Sequence, residues 1–130
     1  MVKKKVLIID DEPDFLKMMK LRLETLKYDV VTASSGREGL EKAASEDPDA
    51  ILLDIMMPDI DGLTVLKSIR KSSPDLPVFI LTAYSNDELK KAERELDATG
   101  LIIKTQDMTK EVKKISTAID VAVKYRGRTF

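Results

Sequence analysis

Neither cysteine nor histidine occurs among the 130 residues. Their absence removes disulfide staples, thiol nucleophiles, serine–histidine triads, histidine metal sites and phosphohistidine carriers in one step. Any nucleophile must therefore be a carboxylate, a hydroxyl or a lysine. Neither sign of charge dominates: 22 Lys and Arg stand against 23 Asp and Glu, so no net field favours nucleic acid as a partner. Long apolar runs are missing too. The basic start at Lys3, Lys4 and Lys5 leads into an apolar run that ends at Asp10, too short for a signal peptide or for a spanning helix of about 20 residues. A soluble, cytoplasmic protein without membrane insertion is expected.

No repeat, low-complexity tract or linker interrupts the chain. A domain of this length buries roughly two thirds of its unfolded surface without staples. One domain over residues 1–130 is expected, with a core of about 4–124 and a short tail at 125–130.

What is present is a regular alternation of short apolar runs and longer amphipathic segments. Residues 6–9, 29–33, 50–53, 78–81 and 101–103 read as strands, and the continuous apolar character of most of them suits burial on both faces. Pro13 opens a helix carrying Phe15, Leu16, Met19, Leu23 and Leu26 at helical spacing. Ser34 and Ser35 are cap candidates for a second helix with Leu40, Ala43 and Ala44 inward, closed by Asp47 and Pro48. Asp61 and Gly62 open a third with Leu63, Leu66 and Ile69. A fourth, at about 86–96, has a thin apolar side of Leu89, Ala92 and Leu96, which marks it as a moving part. The last, at about 109–125, bears Val112, Ile115, Ile119 and Val123 on one stripe. Five such units predict an α/β fold, a doubly wound five-stranded parallel sheet of order 2-1-3-4-5 with helices on both faces.

In that topology the switch point lies between strands one and three, which end at Asp10-Asp11 and at Asp54. Strand four ends at Thr82 and strand five at Lys104. Three carboxylates, a hydroxyl and an ammonium thus converge on the carboxyl edge, where open α/β folds bind ligands. Like charges about 4 Å apart repel by a few kcal/mol at intermediate dielectric, so one carboxylate takes a proton or a cation binds. Oxygen-only donors favour a hard ion, and few carboxylates completed by water and phosphate oxygens suit Mg²⁺. Lys104 and Thr82 add a second positive charge and a hydroxyl donor for phosphoryl oxygens. Asp54 can be the attacking oxygen of an aspartyl phosphate.

The residues Ile8-Ile9-Asp10-Asp11-Glu12-Pro13, Leu52-Leu53-Asp54-Ile55-Met56-Met57-Pro58 with Asp61-Gly62, Leu81-Thr82-Ala83 and Ile103-Lys104 together resemble the receiver domain of two-component response regulators, of the single-domain, chemotaxis-regulator-like kind. The resemblance spans essentially the whole chain. It implies a flavodoxin-like fold and a phosphoacceptor switch in which Asp54 takes a phosphoryl group from a histidine kinase or phosphotransfer protein. Asp10, Asp11, Asp54 and the backbone carbonyl of Met56 are implied to hold Mg²⁺, with Thr82 moving to bond the phosphoryl group and Lys104 pairing with it. Output is expected through a downstream protein target or a later relay, by redistribution of the face formed by helix four, strand five and helix five.

Two positions depart from the family pattern. Thr105 follows Lys104 where proline after a cis peptide is usual, so the loop is either trans and reshaped or strained. Leu101 stands where a switching aromatic is usual. Tyr84 is a candidate to shade the acyl phosphate and slow its hydrolysis. Asp11 doubles as a candidate cap for the first helix, and Asp59 and Asp61 are assigned to the turn and cap before the third. Turnover of external phosphate esters is not expected, because haloacid-dehalogenase-type phosphatases need a second Asp where Met56 stands. A flavin role is disfavoured, since Asp10-Asp11-Glu12 repels a phosphate. The rival reading is a receiver-shaped interaction module that is never phosphorylated, favoured by Thr105 and Leu101.

Overall fold

The computed structural model describes residues 3–83 and 85–126; Tyr84 and the last four residues of the expected tail lie outside them. The strands β1 (Lys5–Ile9), β2 (Asp29–Ala33), β3 (Ala50–Asp54), β4 (Val78–Thr82) and β5 (Gly100–Ile103) alternate with α1 (Pro13–Thr25), α2 (Gly36–Ser45), α3 (Gly62–Ser72), α4 (Asp87–Glu95) and α5 (Thr109–Lys124). All the strand pairs are parallel, and their order is β2-β1-β3-β4-β5, the order expected.

The apolar runs become strands because alternate residues fill two different cores. Val6, Ile8, Leu52, Phe79 and Leu81 pack with Leu16, Met19 and Leu23 of α1 and with Val112, Ile115 and Ile119 of α5. Leu7, Ile9, Ile51, Leu53, Val78 and Ile80 face the other way, onto Val65, Leu66 and Ile69 of α3 and Leu89 of α4. β3 and β4 each run one residue further than the apolar pattern, so Asp54 and Thr82 belong to the ladder itself. That placement fixes the backbone from which both side chains project.

Capping follows local chemistry at three helices. The Ser35 hydroxyl accepts the Glu38 N–H at 3.1 Å, and Glu38 reaches back to the Ser34 N–H at 2.7 Å, one residue before the cap. Asp61 caps α3 through Thr64, and Asn86 caps α4 through Leu89. α1 begins at Pro13 with no side-chain cap, so Asp11 does not serve as one. Two residues expected inward are exposed. Leu26 lies past the last turn of α1, and Ala44, still within α2, stands off the helix face that carries Leu40 and Ala43 to the core.

Tyr28, at the entry to β2, is a core residue that helical and strand periodicity do not reveal. It is buried, and its hydroxyl donates to Asp120 Oδ1 at 2.7 Å and lies 3.0 Å from Ser116 Oγ, joining the edge of the sheet to α5. Burial, then the Asp120 contact, push the phenol up to about 12, against the Ser116 hydroxyl. Tyr28→Phe keeps the ring and removes the bond to Asp120, which is half-exposed and keeps Lys4 at 3.4 Å. Its expected cost is about 0.5–1.5 kcal/mol, the net range for one hydrogen bond, read as a lower urea midpoint at unchanged slope. An unaltered midpoint would mean that water replaces the hydroxyl at no cost.

No cis peptide bond occurs among the described residues, so Lys104–Thr105 is trans. The reshaped alternative for that loop is the one observed. No described helix is long and apolar enough to cross a membrane.

Candidate functional site

β1, β3, β4 and β5 deliver their terminal polar residues to one edge of the sheet, and β2 lies outside this group at the far edge. Asp10 directly follows β1. Its N–H extends the ladder to the Ala33 carbonyl at 3.0 Å, and its Oδ1 accepts the Glu12 N–H at 2.9 Å, turning the chain toward α1. Asp54 ends β3, and its Oδ1 accepts the Met56 N–H at 3.2 Å. Both carboxylates are almost wholly buried, at 0% and 4% exposure. Oxygens of Asp10, Asp11 and Asp54 all lie within 4.8 Å of one another.

One cation faces this cluster. Lys104 Nζ is 2.6 Å from Asp10 Oδ2, 3.0 Å from Glu12 Oε1 and 3.6 Å from Asp54 Oδ2, with its side chain only 11% exposed. The ammonium also sits 4.5 Å from the centre of the Phe15 ring, whose face favours a cation. The buried Thr82 completes the group from the end of β4, and its carbonyl accepts the Lys104 N–H at 2.7 Å. Thr82 also lines a cavity of about 410 Å³ with Met56, Asn86 and Leu89, between the β3–α3 loop and the start of α4.

The electrostatics are those of an overloaded acidic crevice. Burial raises Asp54 to about 6, with the Asp10 charge adding to it and the Met56 N–H and Lys104 opposing. Burial also raises Asp10, despite the hydrogen bond from Lys104. Burial works against the Lys104 ammonium, but its bonds to Asp10 and Glu12 and the nearby charges outweigh this and raise its pKa. A single lysine does not balance three carboxylates and Glu12. The donor set is all oxygen, the carboxylates converge, and burial and the Asp10 charge both work against an ionised Asp54, which is the fit expected of a hard divalent ion.

The structure thus brings Asp10, Asp11, Asp54, Thr82 and Lys104 together as the sequence predicted. Met56, two residues past Asp54, has an exposed side chain. Leu101 is half-buried against the cluster that contains Leu89 of α4. Asp61 caps α3 as expected, and Asp59 lies in the turn before it, where its carboxylate meets the Ile60 backbone. Its two oxygens accept the N–H groups of Gly36 and Arg37, at 3.0 and 3.1 Å, and so join the β3–α3 loop to the start of α2. These amides, Gly36 foremost, hold its carboxyl below the usual range. Glu12 was not expected as a partner of Lys104; the only signal for it was its place beside Asp10-Asp11.

Comparison with known proteins agrees with this geometry. The response regulator receiver domain family matches residues 6–116. The alkaline phosphatase synthesis transcriptional regulatory protein PhoP of Bacillus subtilis is 37% identical over 122 residues, covering 92% of this chain and 51% of the relative. The chain spans about half the length of the curated relatives it matches. Among solved structures, a CheY-like receiver domain protein of Methanospirillum hungatei superposes with a TM-score of 0.86 at 29% identity, covering 95% of this chain and 98% of that one. The response regulator TrrA of Thermotoga maritima, solved in complex with Mg(2+)-BeF, gives 0.79 at 33% identity, covering 88% and 98%.

Proposed function

This chain belongs to the response regulator receiver domain family of two-component systems, and from that premise we propose that Asp54 is its phosphoacceptor. The donor is a phosphohistidine on a histidine kinase or phosphotransfer protein. An Asp54 carboxylate oxygen attacks phosphorus, an O–P bond forms as the P–N bond breaks, and the departing imidazole nitrogen keeps the electron pair and takes a proton from solvent. The observation that carries this reading is the buried Asp54 carboxylate sharing one crevice with Asp10, Asp11 and the Lys104 ammonium.

Asp10, Asp11, Asp54 and the Met56 carbonyl are the groups to hold Mg²⁺, which when bound supplies charge neutralisation for the phosphoryl oxygens. Lys104, already 3.6 Å from Asp54, pairs with a phosphoryl oxygen. The Thr82 hydroxyl donates to another. Thr82 stands at the root of the loop to α4, and α4 buries only Leu89, so a pull on that loop moves the least anchored helix. The face of α4, β5 and α5, including the exposed Ile103 and Val121, then presents a different surface to a downstream protein. Residues 4–124 form the unit that switches. External esters are not turned over, because Met56 offers no acid to protonate a leaving group.

The test is titration of beryllofluoride with and without Mg²⁺, followed by backbone amide NMR, with Asp54→Asn as control. Saturable, Mg²⁺-dependent shifts at Asp54, Thr82 and Lys104 that vanish in the variant are expected. A silent spectrum would turn attention to an unphosphorylated interaction module.

A further inference from the structure

β5 ends at Ile103, and the chain must turn into α5 while the Lys104 ammonium stays over the acidic crevice. A lysine carries its charge on a flexible four-carbon stem. Holding that charge 2.6 Å from Asp10 therefore requires a fixed backbone at its root. On the leading side the Lys104 N–H is anchored to the Thr82 carbonyl.

The trailing side is held by Thr105. Its hydroxyl donates to Glu111 Oε1 at 2.7 Å and accepts the Met108 N–H at 3.2 Å, and its own N–H donates to Met108 Sδ at 3.2 Å. Hydroxyl bonds of this local kind impose a turn on the backbone. Met108, which they grip, is fully buried. It starts α5 with a φ of +55° and no side-chain cap of its own, a left-handed conformation that a non-glycine residue keeps only where its surroundings enforce it. A proline at 105 offers neither the N–H nor the hydroxyl, so this lock is specific to the residue found here.

The geometry points to Thr105 as a positioning residue: its hydroxyl locks the β5–α5 loop through Met108 and Glu111 so that Lys104 faces Asp10 and Asp54. The inference rests on the reading of Lys104 as the partner of the phosphoryl group. Threonine and valine have the same shape, so Thr105→Val removes the hydroxyl bonds alone, and Thr105→Ser restores them.

The experiment compares Mg²⁺-dependent beryllofluoride affinity in the wild type, Thr105→Val, Thr105→Ser, Lys104→Ala and the Lys104→Ala/Thr105→Val double variant. Amide exchange at Lys104 and Met108 is measured without ligand in each. Thr105→Val is expected to weaken binding about tenfold and Thr105→Ser by less than about twofold, while the double variant binds like Lys104→Ala alone. Wild-type affinity in Thr105→Val, or an equal loss in the presence and absence of Lys104, would overturn the inference. Failure of the wild type itself to bind would remove the phosphoryl reading; the exchange data then stand alone, and unchanged protection at Lys104 and Met108 in Thr105→Val would remove the lock as well.

Discussion

Asp54→Asn is expected to reduce Mg²⁺-dependent phosphorylation by a small phosphodonor to background and, in the metal-free protein at neutral pH, to raise stability. The two effects share one cause. The Asp54 carboxylate, the proposed attacking group, is buried beside Asp10 and within reach of Asp11, and that environment lifts it from 3.8 to about 6. Because the folded value lies above the ordinary one, Asp54 favours the folded state below about pH 4. That contribution is lost as pH rises through about 6, where the buried group must ionise. The interval corresponds to on the order of 3 kcal/mol at most. Asparagine keeps a carbonyl for the Met56 N–H and carries no charge, so the variant should match the wild type near pH 4 and exceed it by about 2–3 kcal/mol at pH 7.

Mg²⁺ should reverse the order. An ion that binds only the folded state stabilises it by mass action, and removing Asp54 takes away one of three carboxylates. Urea unfolding at pH 4, 6 and 7, with EDTA and with excess Mg²⁺, reads both effects. A stability difference that stays flat with pH would show that Asp54 is ionised without cost, and the description of the crevice as overloaded would have to be abandoned.

Gly62→Ala should be the most damaging alanine substitution among the described glycines. A Cβ at residue 62 falls 2.5 Å from the Asp54 carbonyl oxygen and 2.6 Å from Ile55 Cα. Both obstacles are backbone, so no side chain can swing away. The closeness has a purpose in the fold: the Gly62 N–H bonds the Ile55 carbonyl at 3.0 Å, seating the first turn of α3 directly on the end of β3, where the acceptor is. Overpacking usually costs 1–3 kcal/mol, and a backbone-to-backbone clash belongs at or above the upper end, about 3 kcal/mol. The displaced strand end also carries Asp54, so beryllofluoride affinity should fall with stability. Gly100→Ala is the natural comparison, since its Cβ meets only the Phe79 ring edge at 3.1 Å and a small shift of that ring relieves it. Equal urea midpoints for the two variants would show that α3 can slide along β3.

The amino-acid pattern was sufficient for the sheet. Alternating burial on two faces leaves a direct trace in runs such as 6–9 and 50–53, and a parallel sheet of five such strands admits few orders. The acceptor site was legible for the same reason: Asp10, Asp54, Thr82 and Lys104 each lie where an apolar run stops, and parallel strands bring their carboxyl ends to one edge. Helix caps at Ser35 and Asp61 were readable because a cap and its partner are three residues apart.

Contacts between distant elements depend instead on how far each helix is rotated and slid against the sheet, and no local spacing encodes that. Only the tertiary structure joined Asp59 to the amides of α2, 22 and 23 residues away. It likewise placed Glu12 beside Lys104 across 92 residues and Tyr28 beside Asp120 across the same span. The Lys104–Thr105 loop shows both sources at work. The sequence determined that a proline is missing there, and packing decided what replaces it: Met108 must enter the core, its backbone turns left-handed to do so, and the nearest hydroxyl able to hold that turn is Thr105.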